Sequence, residues 1–144
     1  MHGSLNDEME RSMLDHFSLG VTDLQHSRRF YDAALLPLGL VRTLDFQGRG
    51  SDYGAMAGQY GVEFTITVEA SVSPLSGMHL CFRAPNRASV HEFHGAALSA
   101  GGRDDGGPSV RPQYHSDYYA AFVLDPDGHR IEAVCHAPEK TMVV

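Results

Sequence analysis

Apolar and polar residues alternate along "LDHFSLGV", residues 14–21, and a period of two predicts a strand. Thr22 with Gln25 three positions on forms a capping box. Leu24, Phe30, Tyr31, Ala34 and Leu35 then recur at helical spacing until Pro37 and Gly39 end the run. Strands are predicted over 40–45, 53–57 and 62–68, separated by the turns "QGRGSD" and "AGQYG". The stretch "EASVSPLSG", 69–77, reads as a linker. The same order then returns. A strand over 78–83 leads to a helix capped by Asn86 and running to about Ser99, where "AGG" stops it. A short strand near Arg103, the polar loop "GGPSVRPQYHSD", a strand over 118–124, the turn "DPDG" and a strand over 129–135 complete it.

Each half is therefore strand, helix and three strands, and residues can be matched between them. At an offset of 63, His16 falls on His79, Phe17 on Leu80, Leu19 on Phe82, Phe30 on Phe93, and Ala33-Ala34-Leu35 on Ala96-Ala97-Leu98. The helical matches follow from ordinary core spacing. The paired histidines, each near the start of a strand, ask for another reason.

Composition narrows the field. A chain of 144 residues with 42% hydrophobic and 20% charged residues suits one folded domain with its own core. A net charge of -7 argues against nucleic-acid or anionic-membrane partners, which favour basic faces. No apolar run is long enough to span a bilayer. Residues 1–12 are polar, without the apolar centre of a secretory signal, and read as a tail or expression remnant. Two cysteines, Cys81 and Cys135, do not make a disulfide framework and suit a cytoplasmic protein with thiols. The expected organisation is a first module over 13–69, a linker over 70–77, a second module over 78–136 and a tail over 137–144, all in one domain.

The closing strand of each half carries a carboxylate between apolar neighbours, Val62-Glu63-Phe64 and Ile131-Glu132-Ala133. Strand alternation turns each glutamate away from those neighbours. If the halves pack about a pseudo-twofold axis, His16, Glu63, His79 and Glu132 can converge in one cleft. Two imidazoles and two carboxylates suit Ni, Co, Fe, Mn or Zn. Three or four protein ligands leave positions open for substrate, where the ion acts as a Lewis acid and a glutamate as general base.

The stretches "LDHFSLGVTDLQHSRRFYDAALLPLGL", "GMHLCFRAP" and "AAFVLDPDGHRIEAV" resemble the vicinal-oxygen-chelate superfamily, which includes glyoxalase I, bleomycin-resistance proteins, extradiol dioxygenases and fosfomycin-resistance enzymes. The resemblance spans residues 13–136 and implies an α+β fold of two βαβββ modules, their curved mixed sheet around a metal cleft and the helices outside, in a homodimer. It implies His16, His79 and Glu132 as metal ligands, and Glu63 as the fourth that glyoxalase I adds. A two-residue slip of that strand would put Thr65 at the fourth position instead. Bacterial glyoxalase I proteins carry an arginine four residues after the first ligand; here Gly20 stands there, which argues against glutathione hemithioacetal as substrate. The function implied is metal-dependent lyase or isomerase chemistry on a small substrate with vicinal oxygens, Glu63 or Glu132 moving the proton. Two other readings remain open. One is an Fe(II) extradiol-type dioxygenase. The other is a metal-free drug- or metabolite-binding module, which the lack of tryptophan weakens.

In the family, the loop before the strand "DYYAAF" rims the cleft, which makes His115 and Tyr119 candidate substrate contacts. Arg130 shares a face with Glu132 by alternation and is a candidate for an anionic substrate. Cys81 shares a face with His79, with packing as its expected role, and His26, His91 and His94 read as solvated helix positions.

Overall fold

The alternation of Phe17, Leu19 and Val21 is realised as β1 (Phe17–Val21), with all three turned to the core. The first helix, α1 (Leu24–Leu35), is capped by Asp23, whose carboxylate accepts 3.1 Å from the His26 amide. The capping box expected of Thr22 and Gln25 gives way to this. The Thr22 hydroxyl donates 2.6 Å to Asp127 Oδ1 and ties the helix start to the second half of the chain. A short 3-10 turn, Leu36–Leu38, ends at Gly39 with φ +86°, a conformation glycine adopts without a Cβ clash. Then come β2 (Leu40–Asp45), β3 (Gly50–Ala55) and β4 (Phe64–Val68). The second half holds β5 (Leu80–Arg83), α2 (Arg87–Ser99), β6 (Arg103–Val110), β7 (Tyr119–Leu124) and β8 (Arg130–Cys135). Asn86 caps α2, accepting 2.8 Å from the Ser89 amide.

This computed structural model describes residues 13–55 and 63–139. The turn over 57–61, the ends of the strands expected at 56–57 and 62, residues 1–12 and the last five residues lie outside that range. Two strands extend beyond the pattern's reading, while β1 and β5 start later than 14 and 78 and leave His16 and His79 just before them. β3 begins at Gly50, because Gly50–Asp52 pair with Thr65–Thr67 of β4. β6 runs on through the "GGPSV" assigned to a loop. It tolerates Pro108 as an edge strand, and it bends at irregularities flanking Gly106.

Two four-stranded mixed sheets result, ordered β1-β4-β3-β2 and β5-β8-β7-β6. The outer pairs β1–β4 and β5–β8 are parallel, the others antiparallel. Each helix covers one face of its own sheet, and the two helices pack on each other. One core runs through both halves, built on Phe30, Tyr31, Phe64, Phe93, Ile66 and Ile131. Phe64 meets Phe82 edge to face at 5.6 Å, joining the modules through aromatic contact. Polar ties flank it: the Tyr31 hydroxyl donates 2.5 Å to buried Asp125, and His129 Nε2 donates 2.8 Å to the Gly20 carbonyl. No helix among the described residues is long and apolar enough to cross a membrane.

The sheets also fix which residues correspond. Phe17 lies opposite Phe64, as Leu80 lies opposite Ile131, so Phe64 and Ile131 are counterparts. A break in the β2–β3 register between Arg42 and Leu44 is matched by one between Asp104 and Gly106. The duplication reaches below the level of the elements, to the bulge.

Candidate metal centre

β5 and β8 run side by side with Cys81 opposite Glu132. Leu80 and Ile131 turn into the core, so His79, Cys81 and Glu132 share the opposite, uncovered face. There His79 Nε2 stands 3.0 Å from Glu132 Oε1. Glu132 is buried, 1% exposed, and its other oxygen accepts 2.6 Å from the Tyr118 hydroxyl. Burial, and then that contact, push the Tyr118 phenol well above its usual range. Cys81 is exposed as a residue, yet its sulfur lies against Glu132, and desolvation and that carboxylate push its thiol up to about 12. Phe122, opposite Glu132 on β7, closes the group, its ring 5.9 Å from the His79 ring.

The spacing suits a metal. Two donors on neighbouring positions of one ion, each about 2.1 Å from it, stand about 3 Å apart, which matches the 3.0 Å between His79 and Glu132. Tyr118 supplies the hydrogen bond that ligating carboxylates commonly receive on the oxygen turned from the ion. Among the described residues no group of three or more His, Cys, Asp or Glu side chains is placed to hold a metal ion, so one chain offers this pair. Beside it opens a cleft of about 230 Å³ between Pro74–Gly77 of the linker, with Met78 after it, and Leu124, His129 and Arg130.

The first module presents its own face. His16 precedes β1, half exposed, with Nδ1 2.6 Å from Asp15 Oδ1. Glu63 is exposed; its carbonyl accepts 3.0 Å from the Phe17 amide, which extends the β1–β4 ladder to the His16–Glu63 level. By register the counterpart of Glu132 is Thr65, and Glu63 corresponds to Arg130. Thr65 donates 2.7 Å to Asp52, a carboxylate only 6% exposed. Asp52 fell in a predicted turn, so the pattern gave no sign that it sits on this face. At Gly20 an added Cβ would press on Glu69 Cγ at 3.0 Å.

The remaining candidates are spread over several places. Tyr119 faces α2, where its hydroxyl meets His91 Nε2 at 2.5 Å and its ring lies under Arg87. One residue earlier, Tyr118 shares the face of Glu132, and a single-residue step is what separates sheet faces. His115 Nδ1 accepts from the Asp117 amide, so its proton is on Nε2 and donates 2.8 Å to His136 Nδ1. Both imidazoles pack edge-on against the Tyr118 ring. Arg130 Nε donates 2.8 Å to Asp105. Arg111, read as loop, lays its guanidinium 5.3 Å from the Phe122 ring.

Duplicated βαβββ modules, one with a histidine–carboxylate pair on an uncovered sheet face, define a two-module α+β protein. A family described as the Glyoxalase/Bleomycin resistance protein/Dioxygenase superfamily matches residues 13–133, and the chain belongs to it. A glyoxalase/bleomycin resistance protein from Albidiferax ferrireducens is 31% identical, with 88% of this chain and 100% of that one covered at a TM-score of 0.73. A glyoxalase I mutant from Zea mays is 22% identical, covering 84% of this chain and 46% of that one at 0.62, and shares the fold. So does a mutant of the fosfomycin resistance protein FosX from Listeria monocytogenes, complexed with Mn(II) and 1S,2S-dihydroxypropylphosphonic acid. It is 18% identical, with coverage of 85% and 89% and a TM-score of 0.63. No curated protein matches.

Proposed function

We propose that the protein is a divalent-metal-dependent lyase or isomerase of the glyoxalase type, acting on a small substrate that chelates the ion through vicinal oxygens. The observation that carries this is the 3.0 Å approach of His79 to Glu132, with Tyr118 fixing the second carboxylate oxygen. The Mn(II) complex of the structurally similar fosfomycin resistance protein supports it. His79 and Glu132 hold the ion, and His16 from a second copy of the chain completes the set. Separate sheets with uncovered faces, each bearing a histidine, favour such a homodimer.

A divalent ion there supplies Lewis acidity to a substrate oxygen and offsets the negative charge that grows on it. The chain's residues do the rest. Tyr118 holds Glu132 in one orientation. Glu63, level with His16 on its own face, takes the proton from the substrate carbon and returns it. The Phe122 ring excludes water from one side of the pair. Gly20 in place of an arginine argues for a substrate other than glutathione hemithioacetal.

The test is quantitative metal analysis of protein prepared without a histidine affinity step or chelator, with His79→Ala beside it. Near-stoichiometric nickel, cobalt, zinc or manganese in the parent, lost in the variant, supports the reading. Iron with oxygen uptake on catechol-type substrates would replace it with dioxygenase chemistry. A parent that neither contains nor takes up metal would sink it.

A further inference from the structure

We propose that Arg111 is the anion-binding residue of this site, so that the substrate carries a carboxylate or phosphonate-type oxyanion next to its vicinal oxygens. This rests on the reading above and names its substrate class.

Three groups surround the Phe122 ring on the uncovered face: the His79 imidazole at 5.9 Å, the Arg130 guanidinium at 5.7 Å and the Arg111 guanidinium at 5.3 Å. The two arginines differ in what satisfies them. Arg130 Nε donates 2.8 Å to Asp105 Oδ2, so its charge is matched within the chain. Arg111 has no carboxylate partner among the described residues. Its Nη2 donates 3.0 Å to the Gly107 carbonyl, and its Nε is buried with nothing to bond. A permanent cation with no carboxylate partner within the chain is one that an oxyanion ligand can match.

The fold makes a seat for this side chain. Gly106, opposite Phe122 with φ +140°, has no side chain, and a Cβ there would come 3.1 Å from Arg111 Nη2. The strand irregularities on either side of Gly106 turn the edge of the sheet. The Arg111 amide donates 2.7 Å to the Tyr118 carbonyl, so the backbone carrying the guanidinium also carries the phenol that holds Glu132. The aromatic face below stabilises the cation. A planar guanidinium fork beside it takes two oxygens of one oxyanion. In a chain of net charge -7 the general field repels anions, so a local cation is needed to select one. The Phe122 ring is common to the His79 imidazole and the Arg111 guanidinium, which puts the anion seat next to the metal pair.

The test titrates glycerate, 1,2-dihydroxyethylphosphonate and neutral ethylene glycol into Mn(II)-loaded parent, Arg111→Met, Arg111→Lys and Arg130→Gln by calorimetry, with metal content measured on the same samples. The parent binds at least one of the acids about tenfold or more tighter than ethylene glycol, and Arg111→Met loses about tenfold or more of that. Arg111→Lys, which keeps the charge without the fork, falls between them and serves if the Met variant fails to fold. Arg130→Gln stays near the parent. The tighter of the two acids identifies carboxylate or phosphonate. Acids bound no better than ethylene glycol, Arg111→Met binding like the parent, or loss in Arg130→Gln instead would overturn the assignment. A parent without metal fails the functional reading alone. Inorganic phosphate titrated into metal-free parent and Arg111→Met then decides the anion site, supported by a loss in the variant and overturned by equal binding.

Discussion

The Tyr118 hydroxyl donates 2.6 Å to one oxygen of Glu132 while the other stands 3.0 Å from His79. The phenol therefore decides which carboxylate oxygen points to the histidine. Tyr118→Phe keeps the ring against His115 and His136 but frees the carboxylate to rotate. Metal affinity is expected to fall about 10- to 100-fold, the usual effect of losing such an outer partner. Metal titration checks this, and unchanged affinity would mean that Tyr118 only packs.

A site shared between two copies makes a prediction that a site within one chain does not. Neither His16→Ala nor His79→Ala alone should hold metal. Mixed and allowed to exchange subunits, they form a heterodimer with one intact site and one lacking both histidines. Metal content should then rise toward half of the parent's per heterodimer. No recovery, with subunit exchange confirmed by mass-tagged chains, would place the histidines in separate roles.

Glu132 and Glu63 should separate in the same assay. Glu132→Gln weakens a donor facing His79 and should lower metal affinity by more than the 10- to 100-fold typical of outer partners, in round terms. Glu63, two positions short of the Glu132 counterpart, should keep the parent's metal affinity when changed to Gln. Equal losses in both would make Glu63 a ligand.

Asp125 binds the modules together: it accepts from Tyr31 and from the amides of Asp127 and His129, and it is 1% exposed. Burial raises its pKa from 3.8 despite those hydrogen bonds. A folded pKa above the unfolded one favours folding below the unfolded value, and that advantage is lost as pH climbs through the folded value. Asp125→Asn does not titrate, so its stability relative to the parent should improve from about pH 4 toward neutrality. Asp125→Ala leaves several donors bare and should cost roughly 2–4 kcal/mol. Urea unfolding at two pH values reads both.

Phe30 is fully buried and meets Tyr31 edge to face at 4.8 Å, and its ring occupies the space a Cβ on Gly102 would need. Phe30→Ala should cost about 3–5 kcal/mol in denaturant unfolding, and Gly102→Val should also destabilise through overpacking.

Much of this protein was legible in the chain itself, because it depends on neighbours in sequence. Strand alternation placed Leu19 and Val21 inside, the Asn86 cap opened α2 where expected, and the repeat of His16 at His79 announced two modules. His79 was legible as the repeat of His16, and Glu132 from the alternation that turns it away from Ile131 and Ala133. Tertiary structure decided the rest. The β1–β4 register, which aligns Thr65 rather than Glu63 with Glu132, is set by packing Phe64 and Ile66 into the core, across loops whose lengths differ between modules. The extension of β6 past Pro108 depends on its lying at a sheet edge. Arg130 and Arg111 look alike as letters; Asp105 reaches one and not the other. Periodicity reports which face a residue takes, while partners brought together across long loops are chosen by the packed core, and the site's charge balance is made of such partners.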